Sequence, residues 1–379
     1  MHILITGGAG FIGSHTADAL IAKGHEVRIM DNLHPTVHPG GKPPSHLPSG
    51  AEFIKGDVRN AADWEKALEG IDAVYHLAAY QDYLTDFSTF FTVNAAGTAL
   101  LYELLVRHGK RFRVKKIIVA ASQAVMGEGR YICPECATGP SDYVYPRIRL
   151  EEQLARGQWD HLCRQCGRPL RWLPSDESVC APCNQYALSK HSQEQIAIEL
   201  GRRYGLPSVV MRYSIVQGPR QSVYNAYSGA MRIFALSLLY RRRPLIYEDG
   251  RQVRDFVNIG DVVAANLLVL EKPEADYRVF NVGGGKPWKI IDFYTTMQEV
   301  TGRHMPPRME GYYRYGDTRH IVSDISQLES LGWRPRHDVV KSITDYWNYL
   351  QQHSTGSQIL EAAEAQMKAM QVVRKAGRK

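Results

Sequence analysis

The sequence predicts an α/β protein whose core is a doubly wound parallel sheet, with a small C-terminal lobe and a cysteine-rich insertion. Apolar runs typical of buried strands alternate with segments of helical periodicity along the first 120 residues. The alternation stops between residues 130 and 184, where all six cysteines lie, and it resumes afterwards. Strands that alternate with helices indicate parallel pairing, because each helix returns the chain to the start of the next strand.

The individual elements are predicted from the period of the apolar residues. Strands are predicted at 2–6, 26–31, 52–55, 72–77, 114–121, 208–213, 253–258 and 278–282. Helices are predicted at 11–23, 60–69, 85–108, 184–204, 226–241, 289–302 and 338–351, with a possible short one near 150–157. Residues 33–50 are rich in proline, glycine and histidine and are therefore predicted to form a loop.

These elements divide the chain into four parts. The predicted core comprises 1–129 and 184–213, with the strands near 253–258 and 278–282. The insertion is 130–183, the C-terminal lobe is mostly 214–352, and 353–379 is a basic tail with at most a loose helix.

Composition and charge limit the classes of partner. The net charge is +7, from 46 basic and 39 acidic residues, which suits an anionic small substrate as well as nucleic acid. Because the chain shows no helix-turn-helix or RNA-binding signature, no nucleic-acid partner is expected. No run of about 18 apolar residues and no signal peptide are recognised, so we expect a cytoplasmic protein without a membrane span.

A glycine-rich turn joins the first predicted strand to the first predicted helix. Glycines there allow a tight turn, close approach of a pyrophosphate, and close packing of helix on strand. The free N–H groups of the helix N-terminus then face the phosphates. This context indicates a Rossmann dinucleotide site, formed by Gly7, Gly10, Phe11, Ile12 and Gly13.

The ends of the following strands supply the other predicted cofactor contacts. Asp31 ends the second strand, where a carboxylate accepts hydrogen bonds from the adenosine ribose and repels a 2′-phosphate. The sequence therefore predicts NAD rather than NADP. Further contacts are predicted at Asn32, Asp57, Val58, Leu77, Ala78 and Ala79.

Tyr186 and Lys190 are the predicted catalytic pair. Their i, i+4 spacing places both side chains on one side of a helix. An ammonium group beside a phenol favours the phenolate and so lowers the tyrosine pKa, which suits general acid–base catalysis. Ser122 follows the fifth predicted strand, at the sheet edge where ligands bind, and its hydroxyl can bond the reacting oxygen.

These residues resemble the motifs of the NAD-dependent epimerase/dehydratase family, the extended short-chain dehydrogenases, from residue 1 to about 350. The resemblance implies cofactor contacts for Asn94, Tyr186, Lys190 and Tyr213, and a homodimer formed by the helices near 85–108 and 184–204. It implies that arginines bind the diphosphate of a nucleotide-sugar substrate. The implied substrate residues are Gln123, Arg220, Arg254 and Arg319.

The insertion contains three C-x-x-C pairs, which indicate a structural zinc site in a cytoplasmic chain. Spacing alone favours the four ligands Cys163, Cys166, Cys180 and Cys183. The insertion also resembles that of the dTDP-L-rhamnose 4-epimerase-like group, which implies Cys133, Cys136, Cys163 and Cys166. We prefer the second set, which leaves Cys180 and Cys183 as thiols near the active site.

The predicted function is epimerisation of a nucleotide-activated sugar, at C4, through a keto-sugar. A 4,6-dehydratase is disfavoured because Gln123 and Ala124 stand where that reaction needs an acid pair. The sequence is also compatible with a net sugar dehydrogenase and with a non-catalytic NAD-binding protein that has a zinc scaffold. The chain departs from the family at Met126, where a tyrosine is usual, and at Ile215, where the family has an asparagine near the diphosphate.

Overall fold

The structure, a computed structural model, describes residues 1–82, 84–224 and 229–353, together with 356, 358, 360, 361 and 372–377. In this part of the chain, strands β1–β14 are His2–Thr6, Glu26–Asp31, Ala51–Lys55, Ala73–His76, Lys116–Ser122, Arg130–Ile132, Arg171–Leu173, Ser208–Tyr213, Ile215–Gln217, Val253–Asn258, Arg278–Val282, Pro287–Lys289, Tyr312–Arg314 and Val373–Lys375. Helices α1–α11 are Phe11–Ala22, Ala61–Leu68, Phe87–Phe90, Gly97–Arg107, Glu151–Ala155, Gln185–Tyr204, Gly229–Leu239, Ile259–Glu271, Ile290–Thr301, Ser326–Ser330 and Val339–Gln352.

Seven parallel strands form the main sheet, in the order β11-β8-β5-β4-β1-β2-β3. The predicted doubly wound sheet is therefore confirmed. The chain order reverses between β1 and β4, and the carboxyl ends of strands at such a reversal form a crevice for ligands. Thr6, at the end of β1, lies between Met30 and His76 of the neighbouring strands.

Alternating side chains bury both faces of this sheet. One face carries Ile5, Ile29 and Ile118, which belong to a core cluster with residues of α1 and α8. The opposite face carries Leu4 and Val74, which belong to a second cluster with residues of α2, α4 and α6. Burial on both faces explains why the strands are nearly continuous apolar runs.

Helix α8, Ile259–Glu271, was not predicted. Asn258 caps its N-terminus by accepting a hydrogen bond from the N–H of Gly260 at 2.7 Å. The segment is apolar on most sides because it packs between the sheet and α1, so it lacks the one-sided pattern of a surface helix.

The predicted helix at 85–108 consists of α3, a π-helical stretch at Phe91–Ala96, and α4. Phe87–Arg107 is long and apolar enough to pass a membrane-span test by length and composition, although no such run was recognised in the sequence. Half of this stretch is buried inside the protein, where Leu101 and Leu105 pack in the core. Core helices commonly meet the same test.

The smaller sheet has the strand order β12-β10-β9. The strand at 253–258 was predicted to belong to the main core, and this was wrong, because β10 pairs with β9 and β12 instead. Strand β9 follows β8 after a break at Ser214 and gives β10 a new parallel partner. Helices α7, α9 and α11 cover this sheet with Phe234, Phe293 and Tyr346 among their buried residues.

The insertion and the tail form two further small sheets. In the insertion, β6 pairs with β7. In the tail, β14 pairs with β13 of the lobe, so the described end of the tail is a strand rather than a loose helix. The predicted positions 226–228 of the lobe helix and 362–371 of the tail lie outside the described residues.

Candidate active site

A cavity of about 960 Å³ opens at the carboxyl edge of the main sheet and extends to the C-terminal lobe. It brings together nearly all of the predicted site residues. Those that line it are Gly7, Gly10, Phe11, Ile12, Gly13, Asp31, Asn32, Asp57, Val58, Leu77, Ala78, Ala79, Ser122, Gln123, Tyr186, Lys190, Tyr213, Arg220 and Arg254. Two predicted residues, Asn94 and Arg319, do not line it.

The glycine-rich turn has the backbone geometry of a phosphate cradle. Gly7 has a φ of 67°, and a Cβ atom there would lie 2.8 Å from the backbone of Ala78. A Cβ atom on Gly13 would lie 2.4 Å from the carbonyl oxygen of Gly7. The start of α1 has no side-chain cap, so its first N–H groups remain available to a pyrophosphate.

Asp31 lies at the far end of this cradle, 9% exposed. Its carboxylate accepts hydrogen bonds from the N–H groups of Leu33 at 2.8 Å and Ala9 at 3.2 Å. Burial raises the pKa of Asp31, and the N–H of Leu33 opposes that rise. The two backbone contacts fix the carboxylate at the end of β2, facing the cavity.

A second carboxylate, Asp57, stands beside it at the end of β3. Arg59 donates to Asp57 at 2.7 and 2.9 Å, and Asn32 donates at 3.1 Å. The hydrogen bond from Arg59 lowers the pKa of Asp57 to about 2. This group is therefore charged at neutral pH.

Helix α6 positions the predicted catalytic pair. Its N-terminus is fixed by Asn184, whose side chain accepts a hydrogen bond from the N–H of Ala187 at 2.8 Å. Tyr186 and Lys190 follow one turn apart and are 7% and 1% exposed. Ser122, at the end of β5, hydrogen-bonds Tyr186, and Lys190 lines the same cavity.

The pKa of Tyr186 differs from the sequence-based expectation. Burial raises it to about 12, and the hydrogen bond from Ser122 only partly opposes this. Burial also lowers the pKa of Lys190 to about 7, which weakens the positive charge that was expected to favour the phenolate. The low dielectric of the site affects both groups more than their mutual proximity does.

The hydrogen-bond chain behind Lys190 was missed in the sequence. The ammonium group donates to the carbonyl of Ala120 at 2.7 Å and to Oε1 of Gln193 at 2.8 Å. Gln193 donates to Thr98 at 2.9 Å, and Nε2 of His76 lies 3.0 Å from the same hydroxyl. Two of the three ammonium hydrogens are thus used inside the protein, which leaves one direction open to the cavity.

Asn94, for which a cofactor contact was predicted, is hydrogen-bonded within the protein and does not line the cavity. Its side chain accepts from the N–H of Tyr80 at 2.8 Å and donates to the carbonyl of Tyr80 at 3.0 Å and to Ser189 at 2.9 Å. It is fully buried. All of its hydrogen-bonding directions but one are filled, and it holds the loop after β4 against α6.

Arg319 is also placed differently from the prediction. Its guanidinium bonds carboxylates away from the cavity, and Arg314 lines the cavity in its stead. Arg254 and Arg314 both donate to Asp317, at 3.3 and 2.8 Å, so two arginines converge at the lobe end of the cavity. The motif lies in a loop that lines the cavity, but the sequence did not reveal which of its arginines faces inward.

Four cysteines of the insertion form a cluster, and they are the set that the family resemblance favoured. The sulfur atoms of Cys133, Cys136, Cys163 and Cys166 lie within 4.8 Å of one another. Two of these separations are 3.6 and 3.9 Å. Tetrahedral zinc with bonds of about 2.3 Å requires sulfur atoms about 3.8 Å apart, so the cluster fits zinc.

The third cysteine pair lies apart from this cluster. The sulfur of Cys180 is 3.3 Å from Nδ1 of His191, and Cys183 lines the active-site cavity. The set favoured by spacing alone is therefore not assembled.

Comparison with known proteins agrees with the geometry. A model of the NAD dependent epimerase/dehydratase family matches residues 3–148 and 166–283. A dTDP-L-rhamnose 4-epimerase of Burkholderia thailandensis is 34% identical, over 92% of this chain and 95% of the relative. A putative UDP-glucose 4-epimerase of Methanocaldococcus jannaschii is 30% identical, over 93% and 99%.

Two solved structures have the same architecture. A UDP-glucose 4-epimerase of Thermotoga maritima with UDP-glucose has a TM-score of 0.75 and 29% identity, over 94% of this chain and 100% of that one. A UDP-glucuronic acid 4-epimerase of Bacillus cereus in complex with NAD has a TM-score of 0.72 and 25% identity, over 93% and 98%.

Proposed function

The chain belongs to the NAD-dependent epimerase/dehydratase family, and we propose that it inverts the C4 centre of a nucleotide-activated sugar through a 4-keto intermediate. The observation that carries the proposal is the meeting of Ser122, Tyr186 and Lys190 in a cavity that also contains the glycine-rich cradle. Similar proteins with 4-epimerase names support the choice of C4.

The residues of the chain divide the reaction between them. NAD, when bound by these residues, would supply a reversible hydride acceptor at the carbon whose configuration changes. Tyr186 takes the proton of the 4-hydroxyl and later gives it back, and Ser122 holds the reacting oxygen. Lys190 keeps one N–H after its two hydrogen bonds inside the protein, and when the amine is protonated its charge would assist loss of the phenolic proton.

NAD fits the residues that are present. The cradle at Gly7 and Gly13 has space for a pyrophosphate but none for a side chain. The Asp31 carboxylate at the end of β2 suits two ribose hydroxyls and repels an added phosphate. These contacts support NAD over NADP.

Arg254 and Arg314 are proposed to bind the substrate diphosphate. Both line the cavity, and both donate to Asp317. Guanidinium groups present paired donors that match phosphate oxygens. Ile215 lines the same cavity in place of the family's asparagine, so these arginines supply the polar contacts there.

The cysteine cluster is proposed to hold one structural zinc ion. The sulfur separations suit a tetrahedral ion, and N–H groups of Cys136 and Gln165 point at the sulfurs of Cys133 and Cys163 at 3.4 Å. Such contacts stabilise thiolates. The cysteines are free thiols, which supports a reducing compartment, and we place the protein in the cytoplasm.

A homodimer through α4 and α6 is proposed, supported by the apolar side chains that this side of the protein exposes. Phe91, Val106 and Leu188 are 38%, 41% and 45% exposed. Leu188→Glu should give a monomer in light scattering at micromolar concentration. Val340→Glu, at an equally exposed position on α11, should leave the dimer intact. A monomeric wild-type protein would refute the assembly.

Nucleotide sugars test the enzymatic proposal directly. Purified protein is incubated with UDP- and dTDP-linked hexoses and deoxyhexoses, and the C4 epimer is followed by NMR. We expect one of them to reach equilibrium with its C4 epimer without added cofactor, because NAD is regenerated in each cycle. Conversion only with stoichiometric NAD consumption would instead indicate a net dehydrogenase.

A further inference from the structure

Arg319 joins the cysteine-rich insertion to the C-terminal lobe. It donates to Asp160 of the insertion at 2.7 Å, to Glu248 at 2.9 Å, and to Asp249 at 2.7 and 2.9 Å. Its side chain is 2% exposed. Burial disfavours the charge, but the bonds to Asp249 and Asp160 outweigh it and raise the pKa of Arg319. The guanidinium is therefore charged, and four of its five N–H groups bond carboxylates.

A second arginine, which belongs to the insertion, reinforces this junction. Arg149 donates to Glu248 at 2.8 Å and to the carbonyl of Asp317 at 2.8 Å. Glu248 thus bridges Arg149 and Arg319, and its backbone has a φ of 55°. A non-glycine residue in this left-handed conformation is strained, and such strain persists where surrounding contacts over-determine the position.

The loop at residues 317–319, which contains Arg319, also holds Arg254, one of the proposed diphosphate-binding arginines. Arg254 donates to the carbonyl of Thr318 at 2.7 Å and to the carbonyl of Arg319 at 3.1 Å. Its ion pair with Asp317 completes the arrangement. Any shift of residues 317–319 therefore moves Arg254, and it also moves the carboxylate that orients Arg314.

The cysteine cluster lies close to Asp160 along the chain. Asp160 is three residues before Cys163, and the backbone carbonyl of the intervening His161 accepts a hydrogen bond from the N–H of Leu170 at 2.7 Å. Near the other cysteine pair, the hydroxyl of Tyr131, two residues before Cys133, donates to the carbonyl of His320 at 3.4 Å. The segments that lead into both cysteine pairs of the cluster thus contact the loop that carries Arg319.

We propose that the insertion is a positioning element for diphosphate recognition: the closed cysteine cluster fixes Asp160, Asp160 fixes Arg319, and Arg319 fixes the loop that orients Arg254 and Arg314. Occupancy of the cluster by zinc then sets the affinity for the nucleotide part of the substrate. Arg319 is a positioning residue and does not contact the substrate. The inference rests on the proposed function, since it requires a nucleoside diphosphate in the cavity.

Calorimetric titration with UDP and dTDP tests this proposal on the intact protein. Asp160→Asn keeps the shape of the side chain but removes its charge, and Asp160 is 43% exposed on its side chain, so folding should tolerate the change. Asp142→Asn is the matched control, because Asp142 is an exposed acid of the same insertion whose carboxylate accepts hydrogen bonds from Thr138 and Gly139 of its own turn. NAD content and zinc content are measured on every sample.

We expect Asp160→Asn to weaken binding of the preferred nucleoside diphosphate roughly tenfold, as for loss of one charge-assisted hydrogen bond. KM should rise by a similar factor, while kcat, NAD content and zinc content stay near wild type. Asp142→Asn should match wild type. Removal of zinc should weaken binding as well, and Asp160→Asn should add little to that loss, because the two changes act in series.

Four results separate the possible failures. Unchanged affinity in Asp160→Asn would overturn the inference, as would a loss that adds fully to the loss on zinc removal. A fall in kcat with unchanged KM would also overturn it, since the diphosphate contacts would then be intact. Failure of the wild-type protein to bind either nucleoside diphosphate would instead reject the proposed function.

Discussion

Tyr186 and Lys190 show how burial sets the chemistry of single residues. Both side chains lie against the end of β5, and water reaches neither freely. In this environment the tyrosine keeps its proton and the lysine tends to lose its own. A bound cofactor with a positive ring and a hydroxyl-bearing substrate would meet groups that are already desolvated and directed.

Tyr186→Phe tests the acid–base role. The change removes one hydroxyl and leaves the aromatic ring that fills the site. We expect kcat to fall by about 10³-fold, within the range usual for a positioned acid–base group, while NAD remains bound. Steady-state kinetics and the absorbance of cofactor released on denaturation measure the two effects. Activity within a few-fold of wild type would exclude the assigned role.

Lys190→Met tests the effect of burial on the lysine. The folded pKa of about 7 lies below the ordinary value of 10.5, so the unfolded chain binds an extra proton between these values. Wild-type stability therefore rises with pH in this window, by roughly 5 kcal/mol in total for this one group. The methionine variant lacks this contribution.

The measurement is the unfolding free energy of both proteins at pH 6 and pH 10. At each pH, the unfolding free energy of wild type is subtracted from that of the methionine variant. We expect this difference to be several kcal/mol larger at pH 6 than at pH 10. An equal difference at both values would show that Lys190 titrates normally.

Residue types in known motifs predicted most of the cavity lining, but not the direction of each side chain. The motif that contains Arg319 predicted a diphosphate contact, and the structure turns that residue toward Asp160 and Glu248. Arg314, five residues earlier, faces the cavity. The direction depends on which carboxylates the insertion and the lobe bring near, and these partners are distant in sequence.

At the scale of elements, the insertion shows why spacing alone did not identify the metal ligands. The segment after Cys166 enters β7, which pairs with β6 and carries the chain away from the cluster. Cys180 and Cys183 therefore arrive at the active-site loop, next to α6. Two C-x-x-C pairs that are close in sequence can thus be separated by a strand that lies between them.

Helix α8 and strand β10 show a second limit of predicting structure from short stretches of sequence. An all-round apolar helix has no one-sided period, and strand partners are set by tertiary contacts that a short window does not contain. The strands of the main sheet were predicted closely because both of their faces are buried, which makes them nearly continuous apolar runs between the helices.

Cys163→Ser tests the proposed zinc site, with Cys180→Ser as the matched control. Wild-type protein and the control should contain about one zinc per chain by elemental analysis, and Cys163→Ser should contain much less. We expect the first variant to lose thermal stability and activity together, because zinc supplies folding free energy that this insertion lacks. Less than a tenth of an equivalent of metal in fully active wild-type protein would disprove the site.

At the scale of the whole molecule, the groups proposed for diphosphate recognition and those proposed for the chemistry lie on different lobes. The main sheet carries the cradle, Asp31 and the Ser122–Tyr186–Lys190 set, whereas the C-terminal lobe carries Arg254 and Arg314. The cavity runs between them. A substrate held by its diphosphate at the lobe would therefore present its sugar to the catalytic end, where a ring that turns over can expose either face.

Transfer of the C4 hydrogen tests the central claim most directly. The preferred nucleotide sugar is prepared with deuterium at C4, incubated in ordinary water, and both epimers are examined by proton NMR. Removal of hydride to bound cofactor and its return to the same carbon predicts that both epimers keep deuterium at C4. Loss of deuterium to solvent, or its appearance at C6, would contradict the account, because the hydrogen would then have left by proton exchange or by dehydration.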